Sequence, residues 1–278
     1  PTATPPIATA APTAVPLKAE KFELPVEGAT GFASVSLHLR AAASNDSALI
    51  STLSPGDAFL IRGEEGDWLR VRAAGEEGYL YAQYCLVNLP DIVPSIVYDA
   101  TNTYSSLLRS SGKAIPGVTG EGLYPGKREN ARLGTDEFIM PVLYPMAAKI
   151  YAAQQAALQN GETLVLYEAY RPYDVQMTIV RALRKLANSD QTVLAGVSTA
   201  PWALSWFAST RLSNHQRGGA VDVSLAQVTR TEEKRAGAYG YTDVTAIALC
   251  EMPTEMHELS RTAAAFAAPV SGSSPTAW

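Results

Sequence analysis

Lysine and arginine never cluster in this chain, and the net charge over its 278 residues is −5. The electrostatic footprint of a nucleic-acid or anionic-membrane partner is therefore missing, and nucleic acid is set aside as a ligand. No apolar run reaches the length of a membrane span, so a soluble protein is expected. Cysteine is scarce: Cys85 and Cys250 lie far apart, each in an apolar setting and without metal-type spacing. They read either as two buried thiols or as a framework disulfide, and neither reading fixes the compartment. Histidine is nearly as scarce, with only His38, His215 and His257.

What is present first is "PTATPPIATAAPTAVP", a proline, threonine and alanine tract with neither apolar periodicity nor charge. Such a tract cannot bury enough surface to offset its ordering entropy, so residues 1–28 are expected to be a disordered tether. Tethers of this composition often stand between an export or membrane signal and a surface domain, so an extracellular or membrane-associated location is expected. The remaining length suits two domains, each with its own core.

Between Gly31 and Leu89 the pattern is short and strand-like. "ASVSLHLRA", "ALISTLSPGDAFLIRGEEGDWLRVRA" and "EEGYLYAQYCLV" alternate apolar with polar residues and are divided by turn signals such as Pro55-Gly56-Asp57 and Gly75-Glu76-Glu77-Gly78. This predicts a small all-β barrel over 29–90. The order of Leu37 to Arg40, Pro55 to Asp57, Gly66 to Arg72 and Gly78 to Cys85 resembles a bacterial SH3-like domain. The resemblance implies binding to the cell wall or to a peptide rather than chemistry. Trp68, Tyr79, Tyr81 and Tyr84 are then either core aromatics or a ligand platform, and His38 is a strand residue.

From Asp91 onward the pattern changes. "MPVLYPMAAKIYAAQQAALQNG" has helical apolar spacing closed by Gly161, "ETLVLYEAY" reads as a strand, and Pro172 opens a second helix over "YDVQMTIVRALRKLANSD". Helix, strand, helix and later mixed strands predict an α+β domain over 91–278.

The chemistry concentrates in "RLSNHQRGGAVDVSL". Gly218 and Gly219 permit a tight turn, after which Ala220, Asp222 and Ser224 alternate with Val221, Val223 and Leu225. A strand here sets the aspartate on the small-residue face and lets His215 fold back beside it. An imidazole and a carboxylate suit zinc, and an incomplete protein shell leaves room for a water to be activated. "SNHQRGGAVD" is similar to the Ser-x-His-x-x-Gly-x-Ala-x-Asp signature of the zinc D-alanyl-D-alanine peptidases, the group that includes the vancomycin-resistance dipeptidase and carboxypeptidase. Ser213, His215, Gly218, Ala220 and Asp222 meet its defining positions. The resemblance implies His215 and Asp222 as zinc ligands and Ser213 near the substrate. "LYEAYRPYDVQ" resembles the family's "DAYRP", with Glu168 for the usual aspartate, which implies Arg171 as the group that stabilises a developing oxyanion. "IVYDATNTYSS" resembles an early family segment and implies Tyr98 near the amino end of the substrate.

"EMPTEMHELS" resembles the segment that follows the metal motif. His257 stands there where the dipeptidases keep an aspartate for the substrate's ammonium, and a histidine is no permanent anion. Neighbouring Glu255 or Glu258 could supply that anion instead; the loss otherwise favours an acylated substrate, with an exposed helix-start residue as the plain alternative. The family's third zinc ligand and its catalytic glutamate belong to a Glu-x-x-His segment beyond "MHELS", and the sequence runs from there to "SGSSPTAW" without one. The expectation is thus a C-terminally incomplete zinc peptidase domain acting on D-Ala-D-Ala or a peptidoglycan stem peptide. A D,D-carboxypeptidase and a non-catalytic wall-binding protein are the alternatives.

Overall fold

Residues 15–124, 132 and 139–263 are described by the computed structural model, in which the chain's first half closes a strongly bent antiparallel sheet. Its strands are β1 (Thr30–Ala33), β2 (Leu37–Arg40), β3 (Leu49–Leu53), β4 (Ala58–Glu65), β5 (Trp68–Ala73), β6 (Glu76–Tyr81) and β7 (Cys85–Asn88). The alternation read from sequence is realised in β5, where Leu69 and Val71 point into the core while Arg70 and Arg72 face water. His38 lies in β2 with its side chain outward, opposite Thr52. Trp68 is buried and stacks against Tyr81 at 5.4 Å, and Tyr81 meets the exposed Tyr84 at 5.8 Å. Trp68 is therefore a core residue from which the aromatic row emerges to solvent.

After β7 come β8 (Val97–Tyr98), α1 (Thr101–Tyr104), β9 (Arg109–Ser110), β10 (Lys113–Ala114) and β11 (Pro141–Leu143). Then follow α2 (Tyr144–Gln159), β12 (Glu162–Glu168), α3 (Tyr173–Ser189), α4 (Gln191–Ser198), α5 (Leu204–Phe207) and a hairpin of β13 (Asp222–Ala236) and β14 (Tyr239–Leu249). Gly161 takes φ +72° just past α2, the left-handed conformation that ends a helix without a Cβ clash. In α3, Val175, Ile179, Val180, Leu183 and Ala187 fall on one face and pack against α4 around Val193 and Val197. A second sheet runs in the order β14-β13-β12-β8, with β12 antiparallel to β13 and parallel to β8.

Two expectations are corrected. The barrel and the α+β part do not keep separate cores: Leu39, Ile61, Leu69 and Leu80 belong to the same apolar cluster as Ile92, Val142, Ile150 and Leu166. The reason lies at a sheet edge. β11 pairs with β7, Val142 opposite Val87, so an edge of the barrel is covered by a strand from beyond residue 91, and α2 follows directly on it.

The tether also ends earlier than residue 28. At Lys18 the composition shifts to "KAEKFELPVEG", and Phe22, Leu24 and Val26 alternate into the core. The backbone N–H groups of Glu23 and Leu24 both donate to the Ile92 carbonyl, at 3.1 Å each. Glu23 accepts from Ser95 N–H at 2.9 Å and Gln155 Nε2 at 2.9 Å, while Lys21 pairs with Glu64 at 2.6 Å and donates to Tyr144 Oη at 2.8 Å. Residues 1–14 of the expected tether, and the part of the expected peptidase domain beyond 263, lie outside the described residues. Cys85 is buried and Cys250 exposed, both as free thiols, so the disulfide reading falls and the expected burial is corrected at Cys250.

Phe22 makes edge contacts with Tyr144 at 6.1 Å and Tyr151 at 5.7 Å. Phe22→Ala is therefore expected to cost about 3–5 kcal/mol, the usual loss for a buried aromatic. Urea denaturation checks this. A loss below about 0.5 kcal/mol would return residues 15–28 to the tether.

Candidate functional site

The site is built where β12 ends and β13 begins. His215–Arg217 form one turn of 3-10 helix between Asn214 and Gly218, with Gly218 at φ +72° reversing the chain. A Cβ on Gly218 would lie 2.3 Å from Leu86 Cδ2, and its carbonyl accepts from Leu143 N–H at 2.8 Å. Glycine is required there both for backbone conformation and for space, because the turn is pressed onto β7 and β11. Ser213 serves this turn: its hydroxyl donates to Gln216 Oε1 at 2.7 Å and accepts from His215 N–H at 3.3 Å.

His215 then lies against the end of β12. Its Nδ1 is 2.8 Å from the Ala169 carbonyl, which can only accept, so Nδ1 carries the proton and the Nε2 lone pair is free in the neutral ring. Nε2 faces Asp222 Oδ1 at 3.4 Å. Two lone-pair-bearing atoms at that separation are suitably placed to share a cation, either a proton on Nε2 or a metal ion. Burial pulls the His215 pKa down, yet the hydrogen bond and charge of Asp222 outweigh it and leave the imidazole above its ordinary value. Burial pushes Asp222 up, and His215 and Arg171 together bring it below the usual carboxylate range.

Arg171 is the hub. Its Nη2 donates to Glu168 Oε2 and to Asp222 Oδ2, the latter at 3.0 Å, and its Nη1 donates to Gln176 Oε1 at 2.9 Å. Its backbone N–H also reaches the His215 carbonyl at 3.2 Å. Glu168 and Asp222 oppose each other across β12 and β13 beside a bulge at Tyr167, which turns Glu168 toward the aspartate. Burial works against the guanidinium charge, and the two carboxylates outweigh it and raise its pKa. Arg171 Nε and Glu168 Oε1 are both buried without a hydrogen-bond partner.

The structure thus brings Arg171, His215 and Asp222 together, with Ser213 bracing the turn beneath. Tyr98 is not among them. It pairs with Leu166 on the opposite face of the sheet, packs on the shared core and donates its hydroxyl to the Val93 carbonyl at 2.8 Å. Its expected place at the substrate's amino end is corrected: the parallel pairing of β8 with β12 fixes which way the ring points. His257 is not an exposed helix-start residue. It is buried in a turn, its ring edge-on to Tyr167 at 5.4 Å.

Sequence reasoning missed Gln176, buried at the start of α3, whose Nε2 donates to the Ser209 carbonyl at 3.0 Å while Oε1 holds Arg171. It also missed the exposed Trp206 of α5, edge-on to Trp202 at 5.4 Å in the segment that leads to Ser213. Pro172 five residues after Tyr167 was the available signal for Gln176, since it places the next helical turn back over Arg171.

Among the described residues no group of three or more His, Cys, Asp or Glu side chains is gathered in metal-holding geometry. The donor set that does exist fits zinc in part. Ligands about 2.0–2.2 Å from a tetrahedral ion lie about 3.3–3.5 Å from each other, which matches the spacing of His215 Nε2 and Asp222 Oδ1.

Residues 35–85 match the bacterial SH3 domain family, covering the strands from β2 to the start of β7. No curated protein matches the chain. The Arg171 cluster lies outside the matched residues.

Removing the hub leaves the buried Glu168 facing the partly exposed Asp222 with no cation between them. Arg171→Met is expected to cost about 3–5 kcal/mol of stability, with partial recovery when Glu168→Gln is added. Chemical denaturation of the single and double variants decides it, and equal stability of Arg171→Met and the parent would dismiss the hub.

A pH effect follows from His257, which burial holds below its ordinary value despite nearby carboxylates. Its contribution to stability is complete above the unfolded value of about 6.5 and declines as pH falls, because the unfolded ring takes its proton first. The His257 ring is expected to titrate below that value by NMR. A midpoint at or above it would contradict the burial.

Proposed function

We propose that the chain is a wall-associated zinc D-alanyl-D-alanine peptidase, a hydrolase of the dipeptidase and carboxypeptidase type acting on the D-Ala-D-Ala terminus of wall peptides. The observation that carries this reading is the facing pair His215 Nε2 and Asp222 Oδ1 at 3.4 Å, with the imidazole tautomer fixed from behind by Ala169. Residue for residue, the pair falls on the Ser-x-His-x-x-Gly-x-Ala-x-Asp pattern, and Arg171 falls on the arginine of the strand-end motif.

His215 and Asp222 would hold the zinc. When bound, such an ion lowers the pKa of a coordinated water toward neutrality and polarises the scissile carbonyl. The protein's own groups set the stage for that chemistry. Ala169 holds His215 by Nδ1 so that Nε2 alone can ligate, the backing that metal-bound histidines require. Arg171 keeps Asp222 ionised and, being clamped by Glu168 and Gln176, offers its remaining N–H groups to an oxyanion without reorganising.

The barrel supports a cell-wall setting, since its residues 35–85 match a bacterial SH3 family whose members commonly bind the wall. Binding there would raise the local concentration of wall peptide at the site.

Calorimetry with zinc, followed by mass spectrometry of D-Ala-D-Ala and an acylated pentapeptide ending in D-Ala-D-Ala, tests the proposal. Zinc is expected to bind, with most of the affinity lost in His215→Ala and in Asp222→Ala, and peptide loss is expected to stop in His215→Ala. Zinc affinity indifferent to both substitutions would sink the metal assignment. Zinc bound normally with both peptides intact would turn the reading to a non-catalytic wall binder.

A further inference from the structure

The segment from Val15 to Glu23 encloses a cavity with α2 and the β13–β14 hairpin. Leu17 is fastened to the tip of that hairpin: its N–H donates to the Ala238 carbonyl and its own carbonyl accepts from Gly240 N–H, both at 3.0 Å. A Cβ on Gly240 would lie 2.6 Å from Pro16 Cβ, so the close approach requires glycine. Phe22 then enters the core, and between these anchors the chain passes over α2. Tyr151, Gln155 and Leu158 of that helix, four and three residues apart and so on one face, line the space below, and Tyr241 of the hairpin borders it. Its volume is about 540 Å³, inside the range of about 300–1,000 Å³ usual for small-molecule sites.

Glu23 gives the cavity its chemistry. Its Oε1 accepts from Ser95 Oγ at 2.5 Å and from Gln155 Nε2 at 2.9 Å, whereas Oε2 accepts only from Ser95 N–H at 2.9 Å. One acceptor position on Oε2 is therefore open. Among the described residues no lysine, arginine or histidine pairs with this carboxylate. Burial is the main influence on it and raises its pKa above the ordinary carboxylate value, against the hydrogen bonds that work to lower it. Burial also leads the causes that raise the Tyr151 and Tyr241 phenols, and the charge of Glu23 adds to both, which sets the two rings near the carboxylate. Lys18 borders the cavity as well, but it is exposed and does not pair with Glu23.

A carboxylate drawn out of water without a counter-charge is unfavourable, and a cation brought by a ligand offsets that. A single open oxygen beside aromatic rings does not make the oxygen shell that calcium or magnesium needs. It does suit an N–H donor, which a primary ammonium supplies and a quaternary one lacks. Tyrosine rings attract such a cation, and Phe22 and Leu158 would cover an alkyl stem.

We propose that this cavity is a binding site for a primary alkylammonium, such as the aminoalkyl side chain of a peptide, with the ammonium bonded to Glu23 Oε2 and the stem lying along Tyr151 and Leu158. No residue of the Arg171 cluster takes part, so the site stands or falls independently of the D-Ala-D-Ala reading.

The full chain is titrated with pentylammonium, 1-pentanol and tetramethylammonium, and the Tyr151 and Tyr241 rings are followed by NMR. Pentylammonium is expected to bind at least about tenfold more tightly than either control, the size of one hydrogen bond to a charged group. Glu23→Gln should remove that advantage. Leu158→Trp, which fills the cavity and leaves Glu23 in place, should abolish binding and decides the matter if Glu23→Gln does not fold. Absence of pentylammonium binding, equal binding of the alcohol or the quaternary ion, or unchanged binding in either variant would overturn the proposal. So would binding seen only in Lys18→Met, which would identify the chain's own ammonium as the occupant.

Discussion

The Arg171 guanidinium is the constraint on which the site depends. It joins the last residue of β12 to the first residue of β13 through Glu168 and Asp222, and it ties both to α3 through Gln176. Without a cation there, the sheet would end in two carboxylates at close quarters. With it, Asp222 is ionised and fixed, and only then does the free lone pair of His215 face a partner of defined charge. The electrostatics are local, but they connect three elements that come from distant parts of the sequence.

A second constraint acts from below. β11 closes the open edge of the barrel, and the next residues start α2, so the apolar core runs from the barrel into the α+β part without interruption. The N-terminal segment adds a strap across this junction, with Phe22 in the core and Lys21 bonded to Glu64 of β4 and Tyr144 of α2. Burying one shared core leaves less surface exposed than closing two small ones, because a barrel of about sixty residues alone buries a smaller share of its surface than a larger unit does.

Much of this was legible in the sequence, and the rest has physical reasons for having been hidden. The strands of the barrel showed because alternation and turn residues both marked them. The apposition of His215 and Asp222 showed because Gly218 makes a reversal compulsory and the following residues alternate. The strap was misread because a low-complexity tract ran directly into it, and only Phe22, Leu24 and Val26 carried the strand period. The long hairpin was also hard to see: β13 beyond Ala226 is mostly exposed, rich in Thr, Glu, Lys and Arg, and held by its ladder and by surface pairs such as Lys234 with Asp243 at 2.5 Å. Tyr98 failed for a different reason. A motif position fixes a residue in the chain, but only the register of β8 on β12 decides which face of the sheet it occupies.

The turn at Gly218 joins these two constraints. Its carbonyl is bonded to Leu143 of β11, and its Cα is in contact distance of Leu86 in β7, so the loop that carries His215 rests on the very strands that weld the barrel to the α+β part. A module joined by a flexible linker raises local concentration but leaves orientation free. Here the barrel surface and the Arg171 cluster share a core and a hydrogen-bonded seam. Any ligand held by the barrel would therefore present its neighbouring chain to the site in a restricted range of directions.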